Sequence, residues 1–232
     1  SFWIYTLLHS SFVLKNKMLR DKSFELLEIL QKTLKNKIYH CYDKQEEIDV
    51  FLEDYAYFAL VLVSFYEVTG DENYLNRSEE ILKETWSLFY DEETKTLQKN
   101  SKKKNDLFVK PIDIIDNNVP NGNSIFLLTL NKISNITENN FYKKKIENLT
   151  KSFYSLIDRN YSQMFSYYKT LDICENNITF TFCGFNDEFQ KIRDFLLSNY
   201  FEKSTFIYKK SKDEQYILIC KNQTCSQKLK NI

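Results

Sequence analysis

Turn-forming residues are scarce in this chain. Its 232 residues include 3 glycines and 2 prolines, and with so little punctuation long helices are the default reading. Histidine is scarcer still, at 2 residues, which leaves little for a histidine proton-transfer pair. Net charge is absent, because 32 basic residues offset 32 acidic ones. No global field therefore draws the chain to nucleic acid or to a membrane surface, and neither is expected as a partner. The basic run from Lys99 to Lys104 contains no aromatic residue and reads as a solvated loop rather than a base-stacking surface.

Long hydrophobic runs are also missing. The most apolar stretch, Tyr55 to Tyr66, stops at Glu67, short of the ~20 residues that a membrane span requires. No signal peptide is visible, so the expected location is the cytoplasm. Residue 1 is a serine with a helix already under way, and the chain is expected to be a piece of something longer. The 5 cysteines are odd in number and irregular in spacing, which predicts reduced thiols rather than a disulfide framework. Cys220 and Cys225 have four residues between them. Zinc needs four ligands, and Cys41, Cys174 and Cys183 supply no second knuckle, so no metal is expected. The pair is expected to serve as small apolar residues at a strand end. Nothing implies a cofactor.

What is present is a core: 43% of residues are hydrophobic and 16% aromatic, ample for packing and too apolar for disorder. Residues 2 to about 16 form an apolar helix. After a polar break at Asn16 to Asp21, residues 22 to 35 place Phe24, Leu27, Leu30 and Leu34 on one face, at helical spacing. Tyr55 to Thr69 is apolar nearly all round, as in a helix covered on every side. Gly70 suits the left-handed position that ends a helix, and Asp71 suits the cap of the next. Residues 73 to 89 then carry Tyr74, Ile81, Leu82, Trp86 and Phe89 on one stripe.

A third round follows: an apolar helix from Ser124 to about Leu130 or Ser134, then residues 140 to 157 with Phe141, Leu149, Phe153 and Leu156. Asp21 and Asp71 are expected in equivalent turns of this repeat. Apolar helices alternating with two-faced ones predict a partial (α/α) toroid of helical hairpins over residues 1–172, mainly α, with inner helices wrapped by outer ones. Residues 162 to 172 read as a last short helix. Beyond it, strand-like runs at 178–183, 205–208 and 216–220 flank a helix at 188–199, which predicts a small C-terminal βαββ appendage over 173–232.

Four blocks carry a resemblance: Phe51-Leu52-Glu53-Asp54-Tyr55-Ala56; Thr69-Gly70-Asp71 with Tyr74-Leu75; Pro111-X-Asp113; and Asp116 followed by Pro120-X-Gly122-Asn123-Ser124. In order and spacing they resemble the C-terminal half of the spermatogenesis-associated protein 20 family, which includes the bacterial YyaL-like proteins. The match runs from roughly residue 2 to the end and includes a closing strand with two cysteines. The resemblance implies an N-terminal thioredoxin-like domain followed by a toroid of the six-hairpin glycosidase type, with relatives among sugar hydrolases and sugar epimerases. The chain departs from that pattern in lacking the thioredoxin-like domain, the first hairpins and any Cys-X-X-Cys. It implies as partner the missing half of the toroid or a thioredoxin-like domain.

Candidate chemistry sits before the inner helices. Glu53 and Asp54 precede one; Asp113, Asp116, Asn123 and Ser124 precede the next. In a ring of antiparallel hairpins these loops open at one mouth, where carboxylates can converge as glycoside chemistry requires. Glu53, Asp54 and Asp116 are the catalytic candidates, and Asp113, Asn123 and Ser124 the candidates for holding a carbohydrate. The competing reading is that the same residues only cap helices, whose dipoles would keep the acids ionised. The chain is then a non-catalytic interaction module. His9 and His40 are expected as a packed residue and a loop residue, so epimerisation by this chain alone is not expected.

Overall fold

The computed structural model describes residues 1–34, 37–41, 49–102, 111–112, 114–211, 213–221 and 224–230. Helices α1 (Phe2–Val13), α2 (Lys17–Leu34), α3 (Leu52–Thr69) and α4 (Glu72–Phe89) form two hairpins. A third consists of α5 (Gly122–Thr137) and α6 (Asn140–Asn160), and α7 (Phe165–Asn176) follows a short 3-10 turn.

The alternation of pattern becomes an alternation of layers. Every residue of α3 from Tyr55 to Val68 is buried, as is every residue of α5 from Gly122 to Ser134. In α4 only Ser78, Ile81, Leu82, Thr85 and Phe89 are buried, one stripe on an otherwise polar helix. Helices α1, α3, α5 and α7 line the inside, and α2, α4 and α6 pack outside them. Gly70 ends α3 with φ 73°, and the Asp71 carboxylate accepts from the Asn73 N–H to start α4, both as the sequence predicts. On α6 the buried stripe is Tyr142, Leu149 and Phe153, whereas Phe141 is exposed. The Tyr142 hydroxyl donates to Glu79 of the neighbouring outer helix α4.

The inner helices all start at one rim. The rings of Phe2 and Tyr57 are 5.1 Å apart, the Tyr57 hydroxyl donates to the Pro120 carbonyl at 2.8 Å, and Ser166 at the start of α7 reaches Asp116 in the loop before α5. Gly122 lies inside the first turn of α5. A Cβ there would stand 3.0 Å from Leu52 Cγ and 3.1 Å from the Glu53 nitrogen. Its role is to let α3 and α5 touch.

At the other end lies a sheet of order β4-β3-β5-β6. It is built from β3 (Ile178–Cys183), β4 (Ser204–Lys209), β5 (Tyr216–Lys221) and β6 (Thr224–Cys225), with α8 (Asp187–Tyr200) joining the parallel pair β3 and β4. Strand β4 seals the ends of α3 and α5. The Tyr208 ring packs on Gly70, and Lys132 Nζ donates to the Ser204 carbonyl at 2.9 Å. Among the described residues no helix is long and apolar enough to cross a membrane.

Three expectations are corrected. The α1–α2 turn is shorter than its polar sequence suggests: Lys15 adopts φ 50° and the Asn16 carbonyl oxygen of the side chain accepts from the Leu19 N–H, so α2 starts at Lys17. Asp21 consequently lies within α2 and is not the counterpart of Asp71. Cys220 and Cys225 are disulfide-bonded rather than reduced, because the β5–β6 hairpin sets them directly opposite each other. An additional hairpin, β1 (Tyr90–Asp91) with β2 (Thr96–Leu97), follows α4; strands of two residues carry no periodicity to read.

Candidate functional site

Asn121 caps α5, its side-chain oxygen accepting from the Ser124 N–H at 2.9 Å. Its Nδ2 donates to the Ile114 carbonyl, to Asp116 Oδ1 and to Ser166 Oγ. The Asp116 carboxylate also accepts from the Asn121 N–H at 2.9 Å, the Ser166 N–H at 2.6 Å and the Ser166 hydroxyl. Asp116 is thus a staple between the starts of α5 and α7.

Asn123 is equally occupied. Its Oδ1 accepts from the Leu97 N–H and its Nδ2 donates to the Leu97 carbonyl, which fixes strand β2 against α5. Ser124 is buried beneath the Asn121 cap. Asp113 lies outside the described residues.

Glu53 and Asp54 fall in the first turn of α3, not before it. Asp54 Oδ2 accepts from the Phe51 N–H at 2.8 Å, and Oδ1 is 3.0 Å from His40 Nδ1. Burial raises the Asp54 carboxyl above its ordinary value and outweighs both the Phe51 N–H and the His40 contact. Desolvation thus outweighs the lowering effect expected of the helix start at this acid. Asp54 lines a cavity of about 210 Å³ with Leu30, Thr33, Ile38 and His40, on the side of α3 that faces α2. Asp54 is held by Phe51 and His40 and Asp116 by Asn121 and Ser166, so the two carboxylates share no partner among these bonds.

The inner face itself holds a second cavity of about 210 Å³, enclosed by residues of all four inner helices. Its apolar and aromatic lining includes Phe2, Tyr57, Leu60, Ile125 and Leu128. Its polar groups include Tyr5, His9, Ser166, Lys169 and Glu202. Glu202 comes from the link between α8 and β4 and spans the gap between the first and last inner helices. Its Oε2 pairs with Lys169 of α7 at 2.7 Å, and its Oε1 accepts from the Tyr5 hydroxyl of α1 at 3.5 Å.

Burial alone would raise the Glu202 carboxyl, but the bond and charge of Lys169 outweigh it and hold the group below the usual range. His9 stacks on Phe201 with ring centroids 4.7 Å apart. Burial lowers its imidazole from the ordinary value, against the raising effect of Glu202. Near neutral pH the cavity thus offers a neutral imidazole able to accept a proton or hydrogen bond, an ionised carboxylate and an ammonium. His9 and His40 line different cavities, so the two histidines do not face one ligand.

Glu202, Lys169, Tyr5 and Ser166 carry no sequence signal as a group; they lie up to 197 positions apart. His9 alone was approachable, as a polar residue on an apolar inner helix.

Among solved structures the chain is similar to cellobiose 2-epimerase from Bacillus thermoamylovorans B4167, with TM-score 0.52 and 16% identity over 66% of this chain. The fold is an arc of an α/α toroid. It is the six-hairpin glycosidase-like architecture, and the arc spans 42% of the length of that epimerase. No family model matches the sequence, and no curated protein matches it.

Proposed function

We propose that this arc is the carbohydrate-binding part of a six-hairpin glycosidase-like protein, and that the ligand sits in the inner-face cavity rather than between the rim acids. The observation that carries this reading is the composition of that cavity. Aromatic and aliphatic walls from Phe2, Tyr57 and Leu60 lie beside His9, Lys169 and Glu202, and a sugar presents the same combination, apolar C–H faces edged by hydroxyls. The name of the similar epimerase, an enzyme of cellobiose, supports the same class of ligand. Glu53 and Asp54 are then rim residues that a longer ligand could reach, and completing the ring falls to further hairpins.

Isothermal titration with cellobiose and a panel of neutral monosaccharides tests this. Binding that is lost in both Tyr57→Ala and Glu202→Ala, with the circular dichroism spectrum retained, is the expected result. Binding that survives both substitutions, or no binding by any sugar of the panel, contradicts it.

A second reading is favoured by the saturation of Asp116, Asn121 and Asn123, whose polar atoms are spent within the fold. In it the arc is a non-catalytic module that carries a partner such as a thioredoxin-like domain. The same titration separates the two.

A further inference from the structure

The end of the molecule opposite the rim carries a second feature that the lumen does not use. Where α1 turns into α2, Val13, Leu14 and Met18 are 52%, 66% and 71% exposed, and Phe195 of α8 beside them is 63% exposed. Large apolar side chains scattered singly need no explanation, but four at one corner do. The same corner holds a cavity of about 420 Å³ whose floor and wall are Phe12 and Phe195 and whose charged lining is Lys15, Lys17, Arg20 and Asp194.

The charges are unbalanced. Asp194 is the single carboxylate of that lining, and Arg193 already pairs with it at 2.8 Å. Arg20 shares it at 3.3 Å, while its guanidinium lies 4.0 Å over the Phe12 ring and its Nε is buried with no hydrogen-bond partner among the described residues. Lys15 and Lys17 are exposed and form no ion pair among the described residues. Lys15 is held at the apex of the turn by its left-handed backbone, φ 50°. A zero net charge for the whole chain conceals this local excess.

We infer that this corner docks on an anionic lipid surface, with Val13, Leu14, Met18 and Phe195 entering the headgroup layer and Lys15, Lys17 and Arg20 meeting lipid phosphates and carboxylates. Apolar side chains ringed by cations on one face are what such a surface selects, and its negative potential complements the excess charge. Because α1 runs from the rim to this corner, docking leaves the rim at the far end of α1 from the bilayer. The inference does not depend on what the inner-face cavity binds.

Co-sedimentation of the chain with phosphatidylcholine vesicles, with and without phosphatidylserine, tests the inference. The chain is expected to pellet with the phosphatidylserine vesicles at low salt and to be released at high salt, where screening is strong. Each lysine near such a surface contributes roughly a five-fold factor, so Lys15→Glu with Lys17→Glu is expected to lower partitioning by more than about ten-fold. Leu14→Ser with Phe195→Ser keeps every charge and is expected to weaken binding as well. All of these side chains are exposed, and circular dichroism verifies the fold of each variant. Equal partitioning onto both kinds of vesicle, unchanged binding by the charge-reversed variant, or capture by soluble polyglutamate without vesicle binding would each overturn the inference.

Discussion

The ammonium of Lys132 lies 2.9 Å from a carboxylate oxygen of Glu67, and the two side chains are 0% and 1% exposed. The pair joins α5 to α3 at the sealed end of the arc and is completed by the sheet: Lys132 also donates to the Ser204 carbonyl, and Glu67 accepts from the Phe206 N–H at 3.3 Å. A buried pair of this kind contributes little net stability but is costly to break, because the survivor is left charged and unpaired. Lys132→Met is expected to cost about 3–5 kcal/mol in urea denaturation, and Glu67→Met with Lys132→Met to recover most of that loss. A double variant as unstable as the single one would contradict this account of the interface.

Gly122→Ala sets two effects against each other. Alanine is favoured over glycine within a helix by about 1 kcal/mol, but here the new methyl meets Leu52 Cγ at 3.0 Å and backbone at 3.1 Å. The backbone contact cannot yield without parting α3 from α5, and overpacking of this kind costs about 1–3 kcal/mol. A net loss of stability is expected on thermal denaturation. A gain would mean that the two helices do not start side by side.

Asp116→Ala is expected to destabilise the fold by about 1–3 kcal/mol, since Ser166 and Asn121 lose a shared acceptor in a partly buried setting. Asn121→Ala removes the cap of α5 and is expected to cost about 1–2 kcal/mol. Sugar affinity per folded molecule should be unchanged in both, as measured by calorimetric titration. A specific loss of affinity in Asp116→Ala would restore the acid to a ligand-facing role.

How much of this was legible in the sequence depends on the range of the interaction. The inner and outer helices were readable because burial writes a period into neighbouring residues: Tyr55 to Val68 are apolar nearly all round, whereas Ile81, Leu82 and Phe89 form one stripe. Gly70 and Asp71 were readable for the same local reason. The cap of α5 was misplaced by two or three residues, onto Asn123 and Ser124 instead of Asn121, since several capping-type side chains crowd that loop. Glu202 was invisible, because a link between α8 and β4 meets Tyr5 and Lys169 only after the whole arc has formed. The disulfide was missed because cysteine spacing says nothing until β5 and β6 are known to pair.

The lowered imidazole of His9 fixes the sign of a pH effect. Its folded value lies below the ordinary 6.5, so as pH falls through that region the unfolded chain takes up a proton before the folded chain does. The contribution of His9 is complete above the ordinary value and is lost as pH falls through and below it. Stability measured from pH 8 to pH 5 is expected to decline more steeply in the parent chain than in His9→Gln. Parallel curves would show that burial of His9 does not shift its titration.

Two histidines in the chain make the central claim open to one direct measurement. Imidazole resonances in a proton–nitrogen NMR spectrum, assigned by His9→Gln, report separately on the inner-face cavity and on the cavity between α2 and α3. Titration with the tightest-binding sugar is expected to shift the His9 signals while those of His40 stay in place. Movement of His40 with His9 unmoved would place the ligand at the rim acids and contradict the account.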